Sequence, residues 1–267
     1  DRLLIAKFPH HNDEWNVIAW EKTALDLAER AGIDVPPNDL VHLGDRSVLI
    51  LERFDRYKSH RVGYMSAMTL IEGSDGDPRD YTEIAETLAE HGSQTSSDLR
   101  QLWRRVAFSI VIHNTDDHLR NHGFLRRGAG WRISPLFDVN PNPDVAAQRV
   151  TGIGGAHLRS DGITGLMTSL ETFDLTHAEA KRTLREVLDA TADWRRVAAK
   201  NGIAESEQDH FVGAFDGVRE ELADHASEVY SSHGSSNRSS EQPRVPKGMP
   251  GAGQFGHKRT RGDGPVQ

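Results

Sequence analysis

The sequence contains no cysteine, which excludes disulfide bonds and thiolate metal ligands. It also has no apolar run near the roughly 18 residues that a membrane-spanning helix needs. Its longest apolar stretches, such as residues 47–51, have the length of a buried strand instead. The N-terminus lacks the ordered basic, apolar and small-residue zones of a secretory signal. These absences predict a soluble, cytoplasmic protein that makes no membrane contact.

Positive charge is scarce over most of the chain. The 267 residues include 32 Lys and Arg against 40 Asp and Glu, a net charge of −8. Residues 231–267 hold six basic and two acidic residues, so their +4 leaves −12 on residues 1–230. Nucleic-acid binding needs clustered Lys and Arg along the phosphate backbone. The acidic body therefore predicts no direct nucleic-acid binding, while a small basic pocket for ATP remains compatible with it.

Helical and strand patterns follow one another in a definite order along the chain. Apolar spacing and turn signals predict a strand over 2–8, a helix over 15–31, paired strands over 39–43 and 46–53, helices over 80–92 and 97–113, strands over 123–126 and 131–133, a helix from the Thr176–Glu179 capping box to about 190, and a helix over 204–230. Residues 140–167 are predicted to form loops, and the composition of residues 231–267 predicts disorder. The order predicts an α+β fold with two lobes, the first small and strand-rich, the second larger and mainly helical.

The most polar segment, residues 113–122, follows an apolar helix directly. Asp116 and Asn121 are five residues apart within it, which is the spacing of the kinase catalytic loop. In that loop the Asp accepts the proton of the substrate hydroxyl and the Asn holds Mg²⁺. A solvated turn has a similar composition, so this segment alone leaves both interpretations open.

A further acidic residue, Asp138, ends the short, mainly apolar run of residues 133–137 after a predicted hairpin. Kinases place an Mg²⁺-binding Asp at this point of the chain. Val139 and Asn140 come next, so the segment departs from the Asp-Phe-Gly pattern. Mg²⁺ prefers a few carboxylate oxygens together with phosphate oxygens, and Asp138 and Asn121 would supply protein ligands of this kind.

Lys7 ends the first predicted strand, where a lysine directed into a cleft can pair with ATP phosphates. The usual orienting partner of such a lysine is a glutamate on a helix. Glu21 lies on the next predicted helix, with Glu14 as a competing candidate.

Residues 52–56 lie between the predicted lobes and read Glu-Arg-Phe-Asp-Arg. A linking strand can offer backbone C=O and N–H groups to the edge of adenine. Phe54 would line that pocket, and Asp55 would accept a hydrogen bond from the ribose. In chain order, these segments supply a lysine, a helix glutamate, a linking strand, the Asp116–Asn121 pair and Asp138. Together they predict ATP-dependent phosphotransfer with ATP and Mg²⁺ as cofactors.

Four segments carry a family resemblance: residues 5–9 (Ile-Ala-Lys-Phe-Pro), 52–56, 114–121 (Asn-Thr-Asp-Asp-His-Leu-Arg-Asn) and 134–138 (Ser-Pro-Leu-Phe-Asp). In these the chain resembles the HipA family, the serine/threonine kinases of bacterial toxin–antitoxin pairs. Matching sequence motifs cover residues 2–160, and the order of the predicted helices and strands matches to about residue 230. It implies a protein-kinase-like fold.

The resemblance also implies a division of the chain and a role for each matching residue. It implies a partial kinase N-lobe and hinge over 1–56 and a helical C-lobe with the catalytic and metal loops over 57–230, followed by the tail. The implied roles are Asp116 as catalytic base, His118 as organiser of the loop or phosphate contact, Asn121 and Asp138 as Mg²⁺ ligands, Lys7 with Glu21 at the ATP phosphates, Glu52 and Phe54 at adenine through their backbones, and Asp55 near the ribose.

HipA-like kinases phosphorylate proteins, with aminoacyl-tRNA synthetases as the best-known substrate class. A DNA-binding antitoxin of the HipB type typically neutralises them. The resemblance therefore implies a protein substrate and a HipB-like partner. Family members also carry an N-terminal subdomain and a Gly-rich loop before the Lys-bearing strand, and neither precedes Leu3. We therefore expect a fragment or a shortened member, in which phosphate clamping is weaker.

Two alternatives share the kinase architecture. A small-molecule kinase similar to aminoglycoside phosphotransferases also uses Asp-x-His-x-x-Asn, which Asp116, His118 and Asn121 satisfy. Those enzymes usually have another His two residues before the Asp, where this chain has Asn114. The other alternative is an inactive fragment that binds nucleotide or antitoxin without phosphotransfer.

A third alternative is a metal-dependent phosphohydrolase. His113, Asp117 and His118 are residue types that can bind a transition metal. All three lie on one short loop, whereas such sites generally take ligands from several helices.

Overall fold

The computed structural model describes residues 2–44, 46–58, 60–74 and 76–227. The predicted disordered tail over 231–267 lies outside these residues. Within them a small antiparallel sheet with one helix comes first and a mainly helical part follows, which confirms the predicted α+β fold. No helix in this part of the chain is both long and apolar enough to cross a membrane.

The N-terminal lobe is a three-stranded antiparallel sheet with one helix. It contains, in chain order, β1 (Leu4–Lys7), α1 (Val17–Arg30), β2 (Asn38–Leu43) and β3 (Arg46–Glu52). β3 is the central strand, and its Val48, Leu49 and Leu51 are buried. The register sets Lys7 opposite Leu49, so the lysine stands at the end of the edge strand β1.

Helix α1 packs with one apolar face inward, as its spacing predicts. It begins after Asn16, whose side chain accepts a hydrogen bond from the Ala19 N–H at 3.1 Å. Ile18, Leu25 and Ala28, which helical spacing places near one face, are all buried. Glu21 is buried on the same helix, which is unusual for a carboxylate and marks it for a charged partner.

Short elements connect the sheet to the helical lobe. They are β4 (Arg56–Tyr57), β5 (His60–Arg61), β6 (Tyr64–Ser66), α2 (Ala67–Leu70) and β7 (Arg79–Asp80). The helical lobe continues with α3 (Tyr81–His91), α4 (Thr95–Val111), β8 (Gly123–Arg127), β9 (Gly130–Ile133), β10 (Thr151–Gly152), α5 (Arg159–Thr168), α6 (His177–Thr191), α7 (Trp194–Lys200), α8 (Glu205–His210), α9 (Val212–Asp216) and α10 (Arg219–Ser227). β6, β8 and β9 form a second antiparallel sheet, and β10 pairs in parallel with β7.

Helix α4 runs through the core of the helical lobe. Its apolar positions are all buried, which confirms the predicted spacing: Leu99, Leu102, Trp103, Val106, Ile110 and Val111. The same helix also buries three polar side chains, Asp98, Arg105 and Ser109. Buried polar groups need hydrogen-bond partners, and each of these three has at least one in the segments that carry the candidate site. Within the described residues, Nε and Nη1 of Arg105 have none.

Two buried polar residues of α4 hold the segment that leads to the predicted metal residue Asp138. The single Nε–H of Arg132 is shared between the two carboxylate oxygens of Asp98, at 2.8 Å from each, and the Ile133 N–H donates to Asp98 at 3.2 Å. Arg105 donates to the carbonyl oxygen of Ser134 at 2.5 Å. Burial lowers the pKa of Arg105 to about 10, which leaves its guanidinium charged at neutral pH. The chain that leads to Asp138 is therefore fixed to α4.

The predicted helix over 204–230 is wrong, because the structure has three short helices there, α8, α9 and α10. Gly213 and Gly217 lie in this segment, and a glycine inside a helix costs about 1 kcal/mol relative to alanine.

Sequence reasoning also missed three helices, the short α2 together with α5 and α7. Helix α5 contains Gly162 and Gly165, and these glycines favoured the prediction of a loop there. A Cβ on Gly165 would lie 2.0 Å from the carbonyl oxygen of Ile153, so this glycine allows close packing of the helix.

We expect Asp98→Ala to lower the free energy of unfolding by about 3 kcal/mol, because it leaves the Ile133 N–H and the Nε–H of Arg132 without their acceptor. Urea denaturation followed by circular dichroism measures the change. Glu186→Ala is the control, since it breaks the exposed pair between Arg104 and Glu186 and should cost about 0–1 kcal/mol. Equal losses in the two variants would contradict the anchoring role of Asp98.

Candidate active site

Lys7 connects three elements of the structure. Its Nζ lies 2.7 Å from Glu21 Oε1 and 2.7 Å from Asp138 Oδ1. The structure thus brings together the predicted lysine, the predicted helix glutamate and the predicted metal-binding aspartate. Glu21, and not the competing Glu14, is the glutamate paired with Lys7.

Burial and charge act in opposite directions on this cluster. Burial alone would lower the pKa of Lys7, but the carboxylates of Glu21 and Asp138 hold it above its ordinary value. Burial raises the pKa of Glu21, and the Lys7 charge opposes that rise. The side chain of Glu21 is 2% exposed and that of Asp138 is 48% exposed. Lys7 is therefore a protonated cation that faces one buried and one accessible carboxylate.

Asp116 is presented to solvent by the loop that follows α4. Its side chain is 81% exposed, and the ring Nε2 of His118 lies 2.7 Å from its Oδ1. A single 3-10 turn over Leu119–Asn121 completes the loop. The side-chain Nδ2 of Asn121 donates to the backbone carbonyl of Asp116 at 3.2 Å. The structure thus gathers Asp116, His118 and Asn121 in one compact turn and leaves the Asp116 carboxylate accessible.

The neighbouring Asp117 points the opposite way and anchors the loop in the interior. Its carboxylate accepts hydrogen bonds from the Tyr81 hydroxyl and from Ser109 Oγ, the latter at 3.3 Å. His122 Nε2 lies 3.0 Å from its second oxygen. Buried Arg149 donates to the Asn114 carbonyl at 3.0 Å on the same loop.

The electrostatics of this anchor favour an ionised Asp117. Burial alone would raise the pKa of Asp117, but His122 and the Tyr81 hydrogen bond hold it below its usual range. Burial and the Asp117 charge raise the pKa of Tyr81 well above its ordinary value, so its hydroxyl stays a donor. Sequence reasoning missed Tyr81 and Arg149, because they lie in segments 36 residues before Asp117 and 35 residues after Asn114.

Asp138 occupies a backbone conformation that few residues adopt. Its φ is +56°, in the left-handed region where aspartate is tolerated better than most side chains. The other predicted metal residue, Asn121, keeps its amide nitrogen on the Asp116 carbonyl, so the amide oxygen is the end left to bind a ligand. A carboxylate and an amide oxygen are hard ligands of the type that Mg²⁺ takes alongside waters and phosphate. The donor chemistry of the two predicted metal residues therefore fits Mg²⁺.

No cluster of three or more His, Asp or Glu side chains suited to a metal occurs in the part of the chain that the structure describes. The three residues of the phosphohydrolase alternative turn to different partners. His113 Nε2 lies 2.9 Å from the Asp144 carbonyl, Asp117 faces the interior, and His118 pairs with Asp116. This arrangement argues against the phosphohydrolase.

An apolar cavity of about 230 Å³ lies beside Lys7. Its lining consists of Ile5, Lys7, Pro36, Leu51, Glu52, Arg53, Phe54, Asp55, Tyr64 and Phe137. The Phe54 ring lies 5.5 Å from that of Phe137 and 6.2 Å from that of Tyr64. The predicted hinge residues and the predicted phosphate-binding lysine therefore share one cavity, whose aromatic walls suit a planar ring.

One backbone carbonyl at this cavity, that of Glu52, receives no hydrogen bond from the neighbouring segment because its partner there is Pro37. The Glu52 N–H donates to the carbonyl of Pro37 at 2.9 Å. An antiparallel partner would normally return the second hydrogen bond, but proline has no N–H. The carbonyl oxygen of Glu52 therefore receives no hydrogen bond from Pro37, whereas the N–H of Glu52 is already bonded to the Pro37 carbonyl. Sequence reasoning missed Pro37 because only the strand register places it opposite Glu52.

Asp55 is already held by two arginines. Arg53 donates to both of its carboxylate oxygens, at 2.8 and 2.7 Å, and Arg56 donates to one of them at 2.7 Å. The hydrogen bonds from Arg53 hold the pKa of Asp55 below its usual value. A carboxylate has about four acceptor positions, so Asp55 keeps capacity for one further donor.

The fold is protein-kinase-like. Among solved structures, HipA from the Shewanella oneidensis toxin–antitoxin complex of HipA, HipB and operator DNA has a TM-score of 0.64 at 18% identity, over 84% of this chain and 57% of that one. The Helicobacter pylori proinflammatory kinase CtkA has a TM-score of 0.63 at 14% identity, over 85% of this chain and 87% of that one.

The family profile described as the HipA-like C-terminal domain matches residues 1–196. The chain belongs to the HipA-like C-terminal domain family. It is 24% identical over 205 residues to the provisionally named kinase Y4mE of Sinorhizobium fredii, covering 71% of this chain and 47% of that protein. It is 24% identical over 157 residues to the serine/threonine-protein kinase toxin HipA of Shewanella oneidensis, covering 51% and 36% respectively. The matched regions thus span less than half the length of these relatives.

The lowered pKa of His113 makes the stability of this region dependent on pH. Burial lowers its pKa to about 4, whereas an unfolded histidine titrates near 6.5. Its contribution to stability is therefore complete above about pH 6.5 and is lost as the pH falls toward 4. Between pH 7 and pH 5 we expect His113 to account for a loss of about 2 kcal/mol in unfolding free energy.

His113→Asn should remove that part of the acid sensitivity, and asparagine tolerates the φ of +55° at this position. Urea denaturation of wild type and variant at pH 7 and pH 5 gives the comparison. His210→Asn, at an exposed histidine of α8, should keep the wild-type dependence. An unchanged pH dependence in His113→Asn would refute this account.

Proposed function

We propose that the chain is the catalytic part of an ATP-dependent protein serine/threonine kinase of the HipA type. The observation that carries the proposal is Lys7, which contacts buried Glu21 and accessible Asp138 at 2.7 Å each while lining the hinge cavity. Membership in the HipA-like family supports a kinase-type function.

Each part of ATP has a matching surface under this proposal. Adenine would enter the aromatic-walled cavity, where the backbones of two lining residues, Glu52 and Phe54, would meet its edge. Asp55 would accept a hydrogen bond from the ribose. Lys7 would pair with phosphate oxygens, and Asp138 with Asn121 would hold Mg²⁺, which neutralises the phosphate charge when bound.

Asp116 would act as the base toward the acceptor. The acceptor hydroxyl oxygen attacks the γ-phosphorus, the bond from that phosphorus to the ADP oxygen breaks, and the hydroxyl proton passes to the Asp116 carboxylate. His118, 2.7 Å from one oxygen of that carboxylate, would hold it in orientation and leave the second oxygen for the acceptor. The buried anchor at Asp117 keeps the turn in place while this occurs.

The surroundings of Asp116 favour a protein acceptor over an aminoglycoside. The depression beside Asp116 is lined by Trp15, Val17, Thr115, Asn140, Pro141, Asn142, Gln148 and Val150 in addition to Asp116 itself. An aminoglycoside carries several ammonium groups, which need carboxylate partners when they leave water. This lining supplies no carboxylate other than Asp116.

The partners of the protein follow from the same family. One relative in fold is the HipA of a HipA–HipB–DNA complex, which supports a HipB-like DNA-binding antitoxin as a partner here. The substrate is a protein hydroxyl, with an aminoacyl-tRNA synthetase as the candidate class, and the setting is the cytoplasm.

Calorimetric titration of ATP, with Mg²⁺ and with EDTA, tests the nucleotide site. We expect tighter binding with Mg²⁺ in wild type. Asp138→Ala should abolish this difference while retaining binding in EDTA, because Asp138 would supply a metal ligand. Asp209→Ala, at an exposed partner of Arg195, is the matched control and should behave as wild type. No ATP binding under either condition would refute the proposal, and equal affinities in wild type would refute the metal assignment.

Asp116→Ala should lower phosphate transfer from Mg-ATP by roughly 10²- to 10⁴-fold, the range for loss of a general base. ATP affinity should remain near that of wild type, since Asp116 faces the acceptor. Transfer of labelled phosphate to a generic acceptor protein gives the rate, and Asp209→Ala again serves as control. Unchanged turnover in Asp116→Ala would remove this residue as the base.

A further inference from the structure

A depression of about 490 Å³ adjoins the accessible face of Asp116. We call it the neutral depression, and its lining consists of Trp15, Val17, Thr115, Asp116, Asn140, Pro141, Asn142, Gln148 and Val150. Its volume exceeds that of any single side chain. Whatever occupies it lies directly beside the proposed base, which makes it a candidate site for the acceptor substrate.

The lining is electrically neutral apart from Asp116. It contains no Lys, Arg or His, and Trp15, Val17 and Val150 supply apolar surface. Val150 is 43% exposed, so its side chain is available for contact. A charged side chain entering such a surface loses hydration without gaining a partner. The depression therefore favours an uncharged group.

Two amide side chains of the neutral depression are available for hydrogen bonding. Within the described residues, the side chains of Asn140 and Gln148 have no hydrogen-bond partner; the Asn140 Oδ1 is a buried acceptor left unsatisfied, and Gln148 is exposed. Asn142 differs, because it donates to Thr115 Oγ1 at 2.7 Å and accepts from the Asp144 N–H at 2.9 Å. An amide offers both donors and an acceptor, which is the complement of a peptide group.

We propose that the neutral depression binds the extended protein segment next to the acceptor Ser or Thr and takes one of its uncharged side chains. Asn140 and Gln148 hydrogen-bond the peptide backbone, while Trp15 and Val150 contact the side chain. This inference rests on the proposed kinase function and adds a rule for its substrates. A residue adjoining the phosphorylated hydroxyl is uncharged.

The rule applies to one side of the acceptor only. On the other side of Val150 a second depression is lined by His118 and Thr151 together with charged or titratable groups, Asp77, Arg79 and His157. Arg79 is already paired there with Glu83 at 2.7 Å. The two sides of the catalytic turn thus present different chemistry, so we expect selection against charge at one flank and not at both.

Bisubstrate conjugates test this without requiring turnover. ATPγS is linked through its γ-sulfur to the acceptor position of a short alanine-based peptide, and each flanking position carries Leu, Gln, Lys or Glu in turn. Displacement of a fluorescent ATP analogue from the full chain gives each affinity. At one flank we expect Leu and Gln conjugates to bind about tenfold more tightly than Lys or Glu conjugates.

Gln148→Glu should reverse that preference toward Lys by about fivefold, because it places a carboxylate in the depression. Thr164→Glu adds the same charge at an exposed position of α5, outside the depression, and should leave the preference unchanged. ATPγS alone should bind all three proteins equally.

The outcomes separate the two proposals. If ATPγS binds but all conjugates bind alike, or Gln148→Glu has no effect, the peptide site is refuted and the nucleotide site stands. If wild type prefers Lys at both flanks, the acceptor is cationic and the neutral depression is not its site. If neither ATPγS nor any conjugate displaces the fluorescent analogue, or the analogue itself does not bind, the kinase function fails together with this inference.

Discussion

Polar groups buried on a single helix, α4, fix the loops of the candidate site. Asp98 and Arg105 hold the chain that leads to Asp138, and Ser109 contacts the loop that carries Asp116. An unsatisfied buried polar group costs about 1–3 kcal/mol, so each of these contacts resists displacement. Because both loops are tied to the same rigid element, neither can shift without straining α4. The positions of the proposed base and of the proposed metal ligand are thus coupled through one scaffold.

Lys7 contributes the other constraint, and its two carboxylates are not equivalent. Glu21 is almost fully buried, so losing Lys7 would leave a buried charge without a partner, which is strongly unfavourable. Asp138 is half exposed and can exchange Lys7 for water at much lower cost. Under the proposed function, phosphate oxygens would therefore replace Asp138 and not Glu21 beside Lys7. That exchange would free the Asp138 carboxylate for Mg²⁺ as the nucleotide binds.

Features that depend on local spacing were predictable from the sequence, and features that depend on tertiary packing were not. The apolar positions of α4 and the antiparallel pairing of β2 with β3 follow from short-range patterns. Sequence spacing singled out Asp116 and Asn121, but it could not show that Asp116 is 81% exposed while the Asp117 side chain beside it is 9% exposed. That difference arises from Tyr81 and Arg149, whose distance along the chain hides them from any local pattern.

Because the proposed catalytic motif is a local pattern, it does not identify the substrate, which depends on tertiary packing. Asp-x-His-x-x-Asn is shared by kinases that act on proteins and on aminoglycosides, because it serves the phosphate and the hydroxyl and not the rest of the acceptor. Under the proposed function, the acceptor would be selected by surfaces that converge on Asp116 from distant segments, from Trp15 to Val150. In this chain those surfaces offer amides and apolar groups without added carboxylates. A polycation would lose hydration there without compensation, whereas a peptide backbone would find donors and acceptors.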